Sequence, residues 1–196
     1  MTAAKSYFDR SNVELTEYLN NHSDAIQALL EDEEQIRLVV DAISRCIKRG
    51  GIIWTAGNGG SASTASHLVC DLAKGVALGS NRQIRAFCLN DNLAINTAWA
   101  NDFSYDVALQ RQLELSANPD DLFIAISGSG KSLNIINALT AAKNLEVESV
   151  ALLGFSGGSA RNIADLALVV KSDDMQVIEN FHLILVHWIF KALHSR

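Results

Sequence analysis

From Gly51 onward the chain alternates short apolar runs with helical stretches, and that alternation leaves few folds open to it. The apolar runs cover residues 52–56, 84–89, 122–127, 149–153 and 166–170. Unbroken hydrophobicity over so few residues marks strands covered on both faces. Helical patterning fills 61–74, 93–100, 107–117, 133–145 and 160–163, and a last helix runs over about 175–193. Strand–helix alternation predicts an α/β fold, with a five-stranded parallel sheet flanked by helices and joined by right-handed crossovers. Ligands of such sheets bind outside the carboxyl ends of the strands. The single proline, Pro119, falls in a loop before a strand.

Two helices precede the first strand. Residues 5–30 carry Phe8, Val13, Leu15, Leu19, Ile26, Leu29 and Leu30 among polar residues, an amphipathic pattern expected to break near Asn20-Asn21. Residues 33–48 place Ile36, Val39, Val40, Ile43 and Ile47 on one face and stop at Gly50-Gly51. Residues 1–50 thus form a helical extension of an α/β core over 51–196, and 1–196 reads as one domain. The first helix is a candidate either for packing between subunits or for packing on its own domain.

With 48% hydrophobic residues the chain can bury a sizeable core. Its net charge of −6, with no basic run longer than Lys48-Arg49, excludes nucleic-acid binding through a broad basic surface. Cys46, Cys70 and Cys88 are odd in number and lack CxxC spacing, so they are expected to be buried, reduced thiols. No signal-type apolar segment lies in 1–10, and no run reaches the ~18–20 apolar residues of a membrane span. The expectation is a soluble, cytoplasmic protein with no membrane partner.

Two glycine-rich turns follow strands. In Gly57-Asn58-Gly59-Gly60-Ser61, three glycines in four positions free the backbone, and a helix begins at Ser61. Backbone N–H groups at such a helix start favour an anion. On that helix His67 and Asp71 are four apart and share a face, as do Leu68 and Leu72. The second turn, Ser127-Gly128-Ser129-Gly130-Lys131-Ser132, offers three hydroxyls and two glycines before another helix, a stronger phosphate signal. Gly130-Lys131-Ser132 matches the tail of a nucleotide-binding P-loop, but Ala125 stands where that motif needs glycine. A serine-rich helix cap is the structural alternative to a phosphate site.

Asn58-Gly59-Gly60-Ser61 with His67 downstream, then Asn101-Asp102-Phe103-Ser104-Tyr105, then Ser127 to Ser132, then a histidine-rich last helix, resemble the sugar isomerase (SIS) domain. The pattern is most similar to the phosphoheptose isomerase family and spans nearly the whole chain. The resemblance implies a flavodoxin-like three-layer fold and a homotetramer with sites between subunits. It also implies isomerisation of sedoheptulose 7-phosphate, often with zinc. It assigns the sugar phosphate to Ser127, Ser129 and Ser132, with Ser61 nearby, and Gly128 in the same loop. It assigns the sugar to Asn58, Gly59, Gly60, Asn101, Asp102 and Glu179. Asp71 and His187 carry acid–base work, and His67, Asp71, Glu179 and His187 are the metal ligands. Asp71 stands where the family usually has Glu, Gly128 where it has Thr, Lys131 where it has Asn, and Glu179 where it has Gln. Gln176 takes that last role under a three-residue shift.

Aldose–ketose isomerisation needs a base over one carbon, an acid near the carbonyl oxygen and an anchor on the remote phosphate. A carboxylate and a histidine suit the first two tasks. On a continuous helix Glu179 and His187 lie about 12 Å apart, which separates them unless two subunits share the site. Glu179 is also explained as a first-turn carboxylate favoured by the helix dipole. Trp54 and Trp99 are expected in the core, Trp188 in the core or a subunit contact, and His182 and His194 in packing or solvent. Three further functions fit: an isomerase of a five- or six-carbon sugar phosphate, a non-catalytic scaffold binding the replication initiator protein, and a sugar-phosphate sensor, which lacks a DNA-binding segment here.

Overall fold

The computed structural model describes residues 14–80 and 83–194. Helices α1 (Leu15–Glu31) and α2 (Glu33–Arg49) lead into β1 (Ile52–Ala56). Helix α3 (Gly60–Cys70) continues through a π-helical turn (Asp71–Val76) into α4 (Ala77–Ser80). Then come β2 (Arg85–Cys88), α5 (Leu93–Asp102), a 3-10 turn (Tyr105–Val107), α6 (Ala108–Ser116), β3 (Leu122–Ser127) and α7 (Leu133–Asn144). The chain closes with β4 (Glu148–Gly154), a 3-10 turn (Ser159–Asn162), β5 (Leu166–Val170) and α8 (Met175–His194).

The five strands form one parallel sheet in the order β2-β1-β3-β4-β5. All six residues of the central strand β3 are buried. Their side chains divide by the strand's two-residue period. Leu122, Ile124 and Ile126 join the cluster of Val39, Val40, Ile43, Leu68, Leu72, Val177 and Phe181 under α2, α3 and α8. Phe123 and Ala125 join Leu109, Leu113, Ile135 and Leu139 under α6 and α7. This is the physical reason the strand reads as an unbroken apolar run. At the base of the sheet Asp121 is buried, and its carboxylate accepts from Ile52 N–H (2.7 Å), Trp54 Nε1–H (2.9 Å) and Asn118 N–H (3.0 Å).

The strands and most helices lie where the apolar pattern puts them; the departures have local causes. Gly50 ends α2 in the left-handed region (φ 73°), donating back to Cys46 and Ile47 carbonyls. Helix α1 runs unbroken through Asn20-Asn21, because asparagine is a weak helix former rather than a breaker. Tyr18 and His22, on one face of α1, both meet Asn180 Nδ2 on α8 at 3.0 Å. The part of this helix expected before residue 14, with Phe8 and Val13, lies outside the described residues. The helix expected at 160–163 is a single 3-10 turn. Cys46 and Cys88 are buried but Cys70 is exposed, contrary to expectation. Trp99 is half-buried on α5, which contributes no residue to the core, and stacks against Phe103 instead. No helix among the described residues is long and apolar enough to cross a membrane.

His182 is wholly buried on α8, where its Nε2 lies 3.0 Å from the Leu153 carbonyl oxygen at the end of β4. As donor there, the ring leaves its buried Nδ1 without a hydrogen-bond partner. Burial pushes its pKa down from 6.5 to about 4. The fold therefore favours the neutral ring. The unfolded chain takes up the proton first as pH falls below 6.5, so this contribution is complete above 6.5 and lost by about pH 4. We predict a loss of about 3 kcal/mol over that window in chemical denaturation. His182→Gln, which keeps a donor but cannot titrate, is expected to flatten that part of the profile; an unchanged profile would refute the assignment.

Candidate active site

The sheet order reverses between β1 and β3, and both glycine turns open into the crevice there. In the first turn Gly57 N–H donates to Asn90 Oδ1 (3.0 Å). Gly59 takes φ +54° with ψ −122°, a conformation that favours glycine. Gly60 begins α3 against Glu179 of α8: a Cβ there would lie 2.6 Å from Glu179 Oε2. In the second turn Ser127 Oγ accepts from Gly130 N–H (3.2 Å) and Ser129 Oγ from Lys131 N–H (3.2 Å). The turn is pinned to the loop after β4, with Gly154 N–H donating to Gly128 O (2.9 Å) and Ala160 N–H to Gly130 O (3.0 Å).

One pocket gathers Asn58, Gly59, Gly60, Ser61, Ser127, Gly128, Ser129, Ser132 and Glu179, with Ile126 and Met175 completing its wall. The helices α3 and α7 both begin at this pocket, so their N-terminal N–H groups supply positive potential to it. Met175 occupies the space a side chain at position 128 would fill, 3.1 Å from its Cε, so the absence of a bulkier residue there is matched by a methionine opposite. Asn101 and Asp102 lie outside the pocket. They are exposed at the end of α5, where Asn101 Nδ2 donates to Asp102 Oδ1 (2.9 Å).

A second group lies further along the α3–α8 seam. His67 Nε2 and His187 Nε2 are 3.0 Å apart, and Asp71 Oδ2 is 3.5 Å from His67 Nε2. Ligand atoms of His67, Asp71 and His187 all fall within 4.8 Å of one another, the arrangement of a metal site. Asp71 Oδ2 is buried and, beyond its 3.5 Å approach to His67, has no hydrogen-bond partner among the described residues, an oxygen that a cation would satisfy. Asp71 also opens the π-helical turn, a local widening often found at functional sites. Glu179 is not brought to this group. It sits eight residues before His187, about 12 Å along the helix, and belongs to the pocket instead.

Four neighbours of the site were not read from the sequence: Asn90, Asn134, Tyr105 and Met175. Asn134 carried a signal, being a polar residue between apolar neighbours on a helix whose Ile135, Ala138 and Leu139 are buried. Tyr105 stood in the Asn101 to Tyr105 motif but with no role assigned to it, and Asn90 carried no signal, because its partner is remote in sequence.

Gly130 combines φ +60° with Gly157 backbone packed where a Cβ would stand. Gly130→Ala should destabilise the protein by about 2 kcal/mol. It should also weaken inorganic phosphate binding by calorimetry; wild-type melting and phosphate affinity in the variant would show that the turn tolerates a side chain.

The family profile described as SIS domain matches residues 17–154. Among curated relatives, a probable phosphoheptose isomerase of Thermoplasma acidophilum is 38% identical over 163 residues, covering 83% of this chain and 89% of that one. A phosphoheptose isomerase of Helicobacter pylori is 35% identical, covering 85% and 86%. Among solved structures, a phosphoheptose isomerase from Francisella tularensis superposes with TM-score 0.83 at 28% identity, over 94% of this chain and all of that one. One from Neisseria gonorrhoeae gives 0.82 at 27%, over 93% of this chain and 100% of the other. With that likeness running through both turns and the sheet they rise from, the chain belongs to the SIS domain family, in its phosphoheptose isomerase branch.

Proposed function

We propose that this protein is an aldose–ketose isomerase that converts sedoheptulose 7-phosphate to D-glycero-D-manno-heptose 7-phosphate. The observation that carries the reading is the seam itself. It sets an anion pocket at one end of α3 and a carboxylate with two imidazoles about two turns further on. Ser61 and His67 are separated by about 9 Å of helix rise, a span that suits a long sugar with a remote phosphate. Ser127, Ser129, Ser132 and Ser61 hold the phosphate, and Asn58, Gly59, Gly60 and Glu179 face the sugar. Asp71 and His187 then work over the first two carbons. One removes the proton from C1 while the other protonates the C2 carbonyl oxygen, giving an enediol. Return of a proton to C2 with loss of the O1 proton completes the aldose.

The donor set His67, Asp71 and His187 suits zinc. Tetrahedral ligands at about 2.0–2.1 Å stand roughly 3.3 Å apart, close to the two spacings from His67, with all three ligand atoms within 4.8 Å. A bound zinc would supply a Lewis acid for the carbonyl oxygen. Asn101 and Asp102 are exposed on α5 and do not line the pocket, so the sugar contact assigned to them calls for a neighbouring subunit or a shift of α5.

We further infer a cytoplasmic homotetramer built on one domain, with α1 in the subunit contact. Leu15, Leu19, Ile26 and Leu30 of α1 are exposed, and Ile26 and Leu30 line one apolar groove with exposed Ile184 of α8, a surface that invites a second copy. Sedimentation equilibrium should return four chains, and Leu19→Glu should lower the assembly state; a monomeric wild type would remove this reading.

Assays over phosphosugars of five to seven carbons, with and without zinc, test the function. Turnover is expected to be best on the seven-carbon ketose, and Asp71→Asn or His187→Asn should each lower kcat by about 100-fold. A variant with undiminished rate takes its residue out of the mechanism. Zinc should bind at one per chain in metal analysis and be lost in His67→Ala. Inactivity on every phosphosugar, with tight binding to a protein partner, would favour a scaffold.

A further inference from the structure

We propose that Asn134 and Tyr105 are positioning residues that lock the two glycine turns together through Asn58 and leave Asn58 able only to donate to a ligand. The inference rests on the isomerase reading for its kinetic consequences, but its geometry stands on hydrogen bonds alone.

Asn58 and Asn134 form a reciprocal amide pair. Asn58 Nδ2 donates to Asn134 Oδ1 (2.9 Å), and Asn134 Nδ2 donates to Asn58 Oδ1 (2.8 Å). Such a pair would look the same with both amides turned over, so something else must orient it. Ile135 supplies that: its backbone N–H, which can only donate, is shared between the Ser132 carbonyl (3.1 Å) and the Asn134 side-chain atom assigned as Oδ1 (3.0 Å), and an Nδ2 there would set donor against donor. The oxygen of Asn134 is thereby identified, and with it both atoms of the Asn58 amide. Tyr105 Oη, 2.6 Å from Asn58 Oδ1, must then be the donor in that contact. The direction of every bond in the chain follows from one backbone N–H.

The placement of Tyr105 comes from the same helix. Asn137, one turn after Asn134 on α7, donates from Nδ2 to the Asp106 carbonyl (3.0 Å) and holds the 3-10 turn that carries Tyr105. Helix α7 therefore sets both partners of Asn58. Asn58 belongs to the turn after β1, and α7 begins just after the turn that follows β3. The pair is a cross-brace between the two turns, and Asn134 is 2% exposed, so water does not compete for it.

The accounting restricts the chemistry. Asn58 Oδ1 has two lone pairs and accepts from Tyr105 and Asn134. Of its two Nδ2 hydrogens one is given to Asn134. A single N–H is left to face the pocket that Asn58 lines with Ser127 and Ser129. A ligand must meet it with an oxygen that accepts, such as a sugar hydroxyl or carbonyl oxygen. Phosphate oxygens accept as well; it is the three hydroxyls and the helix start of the serine turn that assign the phosphate there rather than to Asn58.

Tyr105→Phe tests this cleanly, because Tyr105 is 55% exposed and losing its hydroxyl leaves the core alone. In the wild type the Asn134 side-chain amide hydrogens should exchange with water at least about tenfold more slowly than those of exposed Asn101, and Tyr105→Phe should speed them. In the assay, Tyr105→Phe should raise KM for the phosphosugar about tenfold with kcat within about twofold. Its melting temperature and its competitive inhibition by inorganic phosphate should be unchanged. Asn134→Asp, which removes the donor to Asn58 while keeping the shape, should show the larger defect. Exchange at Asn134 as fast as at Asn101, or a Tyr105→Phe enzyme with wild-type KM, overturns the proposal. So does a marked fall in melting temperature for Tyr105→Phe, since the hydroxyl would then serve stability. If the wild type isomerises no phosphosugar, the isomerase reading fails, and the exchange measurement still decides the brace.

Discussion

The reversal of strand order beside β1 is the constraint from which the rest of the molecule follows. The chain leaves β1 for β2 on one side and then crosses back past β1 to reach β3 on the other. Connections depart from this point in opposite directions, so no crossover covers the carboxyl ends of β1 and β3. Both strands must turn sharply there, and both turns are glycine-rich. Two helix starts, α3 and α7, are left facing one crevice with their N–H groups unpaired by their own helices. An anion pocket is the consequence of topology before any side chain is considered.

Side chains enter through the packing of α3 and its continuation against α8. The two run alongside each other, so Gly60 meets Glu179, His67 meets His187, Gly75 meets Phe190 and Gly79 meets His194. Small residues at three of these crossings let larger α8 side chains lie against the α3 backbone. At the fourth, two imidazoles meet and Asp71 stands beside them, its buried oxygen 3.5 Å from His67 and without a hydrogen bond among the described residues. One seam thus carries both the pocket carboxylate, Glu179, and the candidate metal group. Their separation is set by helix rise rather than by loop conformation, which makes it stiff.

Much of this was legible in the residues. The runs at 52–56, 122–127 and 166–170 are strands as written, because burial on both faces demands continuous hydrophobicity. Gly50 marks the end of α2 because only glycine adopts its left-handed conformation cheaply. The π-helical turn after Cys70 was not legible, since Asp71–Val76, which form it, read as ordinary continuation of a helix. Exposed Cys70 and the coreless helix α5 escaped for a similar reason: an apolar residue does not say whether its own chain will cover it. Helix rise alone already separated Glu179 from His187, but only the pairing of α8 with α3 sets Glu179 against Gly60.

By itself the sequence determined the parallel sheet, the two glycine-rich turns at strand ends and the residue types able to move a proton. Those properties follow from hydrophobic period, glycine placement and the chemistry of each side chain, which are local. Tertiary structure alone decided which of these residues meet. His67 and His187 are 120 positions apart, and Asn58 and Asn134 are 76. Contacts over such distances arise when helices dock on a shared sheet, and no pattern within a single segment encodes that docking.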